Sequence, residues 1–142
     1  MIRLQDFKDY YEVLKENLVA YRGEYESFIN HGPDLFRLLI DLLNEDKVKK
    51  DHRLIINAAI AYYISPMDII PEQIYGPSGY IDDIFICCWV LKQLMKMGLE
   101  ETIRAKWDGA GEFDDILNEC FDKSLKLIDG KEDLMLKYVG LI

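Results

Sequence analysis

Four acidic side chains stand close together near the middle of the chain: Asp68, Glu72, Asp82 and Asp83. Carboxylates so spaced can do two kinds of work. Converging from two helix starts, they would form an oxygen-rich cluster suited to Mg²⁺, Mn²⁺ or Ca²⁺, with Asp68, Asp82 and Asp83 as ligands. Such a centre activates water, which is the chemistry of a divalent-metal-dependent hydrolase or phosphoesterase. Alternatively, Ser65-Pro66-Met67-Asp68 is a capping box in which Ser65 caps, Pro66 takes the first helical position and Asp68 reaches back to the Ser65 N–H. Asp82 and Asp83 then occupy the first turn of the following helix, where its macrodipole favours negative charge by about 0.3 to 1 kcal/mol each. This structural reading leads and requires no cofactor; a protein-contact surface is a third use of the same acids. Four carboxylates part-buried between apolar helices repel unless a cation, an Arg or a shared proton compensates, although hydroxyls of Tyr62, Tyr63, Tyr75 or Tyr80 are a neutral way of satisfying them.

Other reactive residue types do not assemble. His31 and His52 are far apart in sequence and fit no His-based metal motif, so both are expected at the surface or as caps. Cys87 and Cys88 are adjacent and Cys120 stands alone, an odd count of 3 without C-x-x-C spacing, which reads as reduced core thiols. Gly76-Pro77-Ser78-Gly79 lacks the Lys-Ser/Thr of a phosphate loop, and its Pro removes a needed N–H donor. No Ser or Cys nucleophile has a neighbouring base.

The elements that must position the acids follow from periodicity. Phe7, Tyr10, Tyr11, Leu14, Leu18, Tyr21, Tyr25, Phe28 and Ile29 recur in steps of three and four, which predicts one long amphipathic helix ending at Asn30-His31-Gly32. A second helix covers about 33–45, burying Leu35, Leu38, Leu39, Leu42 and Leu43. Arg53 to Ile64 is apolar nearly all round, and Tyr80 to Met97 is apolar on both faces in its first half, so these two are expected as a central hairpin with Phe85 and Trp89 buried. A short helix over 100–107, a long one over 112–129 burying Phe113, Ile116, Leu117, Cys120, Phe121, Leu127 and Ile128, and a final turn over 132–138 complete the chain. The expectation is an all-α, single-domain bundle of about five to seven helices over 1–142.

Composition bounds the function. The chain has 142 residues, 50% hydrophobic and 30% charged, enough for one self-sufficient core. Lys+Arg 17 against Asp+Glu 26 gives a net charge of −9, which removes the electrostatic basis for nucleic-acid or anionic-lipid binding and favours neutral, basic or cationic partners. The N-terminus alternates charge with apolar residues and does not read as a secretory signal, so a cytoplasmic location is expected. The most apolar runs, Leu54 to Ile64 and Ile84 to Leu91, are shorter than the roughly 18 residues a membrane span needs.

Tyr62, Ile64, Ser65, Pro66, Asp68, Ile69, Ile70, Pro71 and Glu72, followed by Gly79, Tyr80, Ile81, Asp82 and Asp83, form one dense motif. It resembles the YkvA-like bacterial domain of unknown function, whose pattern is S-P-x-D-hydrophobe-hydrophobe-P, an acidic residue, then G-Y-hydrophobe-D-D before an apolar helix. The resemblance covers about residues 54–94. Glu72 stands where Asp is commoner, and the stretch from Tyr75 to Gly79 is one residue longer than the usual spacing, as in a divergent branch. The resemblance implies a small helical domain without an established activity. With no catalytic set assembled, the expectation is a non-enzymatic interaction or regulatory module that meets a protein partner through a helical surface, the metal-dependent hydrolase being the alternative.

Overall fold

A computed structural model of the chain describes residues 4–21, 23, 25–64 and 80–142, with side chains from Tyr10 onward. Ser65, Pro66, Asp68, Pro71, Glu72 and Gly79 therefore lie outside the described residues, and with them the capping box. All regular structure among the described residues is helical: α1 (Leu4–Ala20), a 3₁₀ turn (Ser27–His31), α2 (Gly32–Leu42), α3 (Lys50–Ile64), α4 (Ile81–Leu94), a π-helical turn (Met95–Leu99), α5 (Glu100–Lys106), α6 (Phe113–Ile128) and α7 (Glu132–Tyr138). The protein is all-α, as its apolar periodicity requires.

Helix α4 is the hub. Ile81 to Cys88 are all buried, and the helix packs on α2, α3 and α6 and touches α7, while α1 lies along α2. An element apolar on every face is most stable where neighbours cover every face. Gly98 closes this stretch at φ 96°, a conformation for which glycine bears no Cβ penalty. At the start of α2, Gly32 lets the chain pass close to α4, since a Cβ there would meet Ile84 Cδ1 at 3.3 Å.

Four expectations need correction. The first helix does not run on to Ile29: it stops at Ala20, and Phe28 and Ile29 reach the core from the separate 3₁₀ turn. Gly23 sits in the interruption, where its high conformational entropy disfavours helix. Helix α3 is not enclosed all round; Leu54 is 62% exposed, and Asn57 and Ala61 share its open side. The centre is therefore one helix, α4, with α3 as a flank. Trp89 is only partly buried, because it lines an open cleft between α4 and α6, whereas Phe85 is buried as expected. Leu127 likewise faces outward near the end of α6.

Leu43 and Phe121, expected in the core, are only partly buried, while other expectations about the described residues fit. Cys87, Cys88 and Cys120 are free, buried thiols. His52 acts as a cap: its Nδ1 accepts the Lys49 N–H at 2.9 Å beside the start of α3. The C-terminal end docks back, with Val139 and Leu141 packed against the core and the Leu141 N–H donating to the Leu136 carbonyl at 2.9 Å.

Candidate functional site: a buried aspartate pair at the start of the central helix

The start of α4 drives two carboxylates into the protein interior. Asp82 is 0% and Asp83 1% exposed, an arrangement that requires compensation because burying a charge without partners is costly. For Asp82 the compensation is visible: the Tyr62 hydroxyl donates to its Oδ2 at 2.6 Å, and the Asp83 N–H donates to its Oδ1 at 3.0 Å. The first bond is short, as hydrogen bonds to ionised acceptors are. Both acids also sit in the first turn of α4, where the unpaired N–H groups favour negative charge.

Tyr63, the neighbour of Tyr62, points about 100° further round α3 and enters a different pocket. Its hydroxyl donates to the Gly32 carbonyl at 3.1 Å, and its ring meets Phe36 edge-on at 5.0 Å. Burial pushes the Tyr63 phenol well above its ordinary pKa, with the charges of Cys87 and Asp83 adding to the effect. Cys87 is pushed up by burial, then by the charges of Cys120 and Asp83. Tyr10 closes the end of α3 by donating to the Tyr63 carbonyl at 2.9 Å, satisfying one of the carbonyls a helix end leaves over. Tyr80 precedes α4 and is buried, with its oxygen 3.4 Å from Asn17 Nδ2.

Of the expected acidic set, Asp82 and Asp83 come together, and Asp68 and Glu72 lie outside the described residues. The expected macrodipole position of Asp82 and Asp83 is observed, but both are enclosed in the core. Among the described residues no three His, Cys, Asp or Glu side chains are grouped to hold a metal ion.

Sequence reasoning missed a second feature. Between α4 and α6 lies a cleft of about 500 Å³ lined by Trp89, Lys92, Gln93, Met95, Lys96, Asp114, Leu117, Asn118 and Phe121. Lys92 crosses it, donating to Asn118 Oδ1 at 3.1 Å with its ammonium 4.8 Å from the Phe121 ring centroid. The sequence signal was the wet second half of α4, but its partner helix is not readable from spacing. A smaller hollow of about 260 Å³ lies between α3 and the chain end, lined by Ala58, Ala61, Tyr62, Tyr138 and Val139.

Fold and site thus define an all-α domain whose central helix begins with a buried aspartate pair, the first of which, Asp82, is held by Tyr62. The family described as protein of unknown function DUF1232 matches residues 52–89, the stretch that supplies both the tyrosines and the aspartates. Over 129 residues the chain is 35% identical to the uncharacterized protein ORF9 of Methanothermobacter thermautotrophicus, covering 91% of this chain and 88% of that one. It is 36% identical over 67 residues to the uncharacterized membrane protein YkvA of Bacillus subtilis (strain 168), covering 46% of this chain and 62% of that protein. A 33-residue stretch is 46% identical to the E3 ubiquitin-protein ligase RNF170 of Xenopus laevis, covering 23% of this chain and 13% of the ligase. No solved structure matches. The chain belongs to this YkvA-like family of unknown function. No described helix is long and apolar enough to cross a membrane.

Proposed function

We propose that the protein is a non-enzymatic interaction module that works in the cytoplasm and docks a neutral or basic protein partner on a helical face. The observation that carries this reading is the enclosure of Asp82, whose two oxygens receive the Tyr62 hydroxyl and the Asp83 N–H inside the core. A hydrolytic metal centre needs ligands open to substrate and water. Here the acid instead ties the end of α3 to the start of α4. The proposed docking face is the outer side of α3 with the chain end beside it. Leu54, Ala58 and Ala61 are spaced i, i+4, i+7 on that helix, and half-exposed Tyr138 borders the hollow with Val139. A face of this kind, apolar with small residues, admits close approach of a partner element. Partial matches, of 33 residues to a protein named as a ubiquitin ligase and of 67 to one named as a membrane protein, support a portable element over one fixed reaction. The three free thiols are consistent with a reducing compartment.

The test has two arms. Millimolar Mg²⁺, Mn²⁺ or Ca²⁺ should leave the melting midpoint unchanged; a rise of several degrees that Asp82→Asn abolishes would move the hydrolase reading, with Asp68, Glu72, Asp82 and Asp83 as its acids, into first place. In the second arm, wild type and Ala61→Glu, a change at an exposed position, are compared in affinity enrichment, and binders are retitrated as purified proteins. Loss of at least tenfold in affinity with an unchanged midpoint supports the docking face. Identical binding by both proteins refutes it.

A further inference from the structure

The cleft between α4 and α6 plays no part in that reading. We propose that it binds a small apolar carboxylate from solution, a medium-chain or aryl carboxylic acid, with the acid group on Lys92 and Asn118 and the hydrocarbon on Trp89, Leu117 and Phe121.

The cleft walls are two matched helical stripes. Trp89, Lys92, Gln93 and Lys96 recur at i, i+3, i+4, i+7 on α4 and in the turn that follows it, and Asp114, Leu117, Asn118 and Phe121 do so on α6. Each stripe runs about 10 Å at 1.5 Å per residue, the length of a small molecule, and shorter than a docked helix of several turns. A volume near 500 Å³ lies within the range of small-ligand sites, and the apolar side chains Trp89, Met95, Leu117 and Phe121 stand among five polar ones. Met95 adds an adaptable side chain to the wall.

The polar groups choose the ligand's charge. Lys92 has three N–H donors, and the bond to Asn118 Oδ1 uses one. The same bond occupies the Asn118 acceptor and leaves its Nδ2 as a donor, so the pair presents donors to the cleft. Among the described residues neither Lys92 nor Lys96 is within ion-pair distance of a carboxylate, so a ligand's acid group would not displace an ion pair there. The acid at the rim, Asp114, is engaged by Arg104 through two bonds of 3.0 and 3.1 Å, which offset its charge. One half-buried ammonium beside a neutral amide matches a single negative charge, and the net charge of the chain disfavours a multiply charged anion. The half-exposed faces of Trp89 and Phe121 then cover hydrocarbon.

Titrating the full-length protein with octanoate, and in parallel with neutral 1-octanol, tests this by ¹H–¹⁵N NMR. Octanoate should shift the Trp89 indole and Asn118 side-chain amide signals saturably, and 1-octanol should bind at least tenfold more weakly. Lys92→Met should weaken octanoate about tenfold and leave 1-octanol unaffected. Asn118→Asp, isosteric and exposed, places a carboxylate where the ligand's would sit and should abolish octanoate binding without lowering the melting midpoint. Equal affinity for the acid and the alcohol, indifference to both substitutions, or shifts confined to α3 and α7 would overturn the proposal. None of these results bears on the docking face, whose test is Ala61→Glu.

Discussion

Tyr62→Phe removes one oxygen from the protein and keeps the ring, which packs edge-on to Tyr138 at 5.9 Å. The lost bond is the 2.6 Å contact to Asp82, an acid that is 0% exposed. Hydrogen bonds to charged groups contribute about 1.5 to 3 kcal/mol net, and here the acceptor left behind has no bulk water to replace the donor. A loss of about 2 to 3 kcal/mol is expected, a large share of the 5 to 15 kcal/mol typical of a domain. At roughly 3 °C per kcal/mol for a chain of this size, the melting midpoint should fall by about 6 to 9 °C. Urea denaturation supplies the free energy, and Tyr21→Phe, at a 41% exposed position, is the control expected to move it by less than about 0.5 kcal/mol. A double-mutant cycle sharpens the test. On an Asp82→Asn background the hydroxyl meets a neutral acceptor, and Tyr62→Phe should then cost only about 1 kcal/mol. Equal costs on the two backgrounds, or a Tyr62→Phe loss no larger than the control, would refute the claim that this hydroxyl stabilises a buried carboxylate.

Phe85, 1% exposed and stacked on Phe121 at 5.6 Å, should cost about 3 to 5 kcal/mol when replaced by Ala, whereas half-buried Trp89 should cost roughly half that. Matching urea midpoints for the two variants would return Trp89 to the core. Stability should also fall in alkali. Burial raises the pKa of Cys87 and Cys88 above the ordinary 9.0 and of Tyr63 above 10.0, so the unfolded chain loses these protons first and binds fewer than the folded one. Their contribution is complete below the unfolded values and declines as pH rises, by up to about 1.4 kcal/mol per pH unit per group, from near pH 9 for the thiols and near pH 10 for the phenol. Denaturation midpoints measured across pH 8 to 11 check this, and a flat profile contradicts it.

The helical class was legible because apolar residues recur every three or four positions and no stretch alternates with period two. Helix ends were legible where a residue had a backbone reason to be there, as at Gly98 with φ 96°. They failed where periodicity carried on across a break. Phe28 and Ile29 continue the spacing of α1, and only the packing reveals that a 3₁₀ turn brings them in by a separate route. Composition misjudged α3 for a related reason: small residues such as Ala58 and Ala61 count as apolar wherever they lie, so an open side made of them reads like a buried one.

The site shows the same limit in sharper form. Sequence placed Asp82 and Asp83 in the first turn of a helix, yet whether that turn meets water or the core depends on what lies across from it. The answer is in two doublets 20 positions apart, Tyr62-Tyr63 and Asp82-Asp83. Adjacent helical residues diverge by about 100°, so neither doublet acts as a unit. Tyr62 reaches Asp82, while Tyr63 turns toward Gly32 and feels the charge of Asp83. Tyr62 therefore ties α3 to α4, while its neighbour Tyr63 ties the same helix to the start of α2. The cleft residues carry no comparable signal, since Lys92 and Asn118 are 26 positions apart and become a pair only after α6 has folded back along α4.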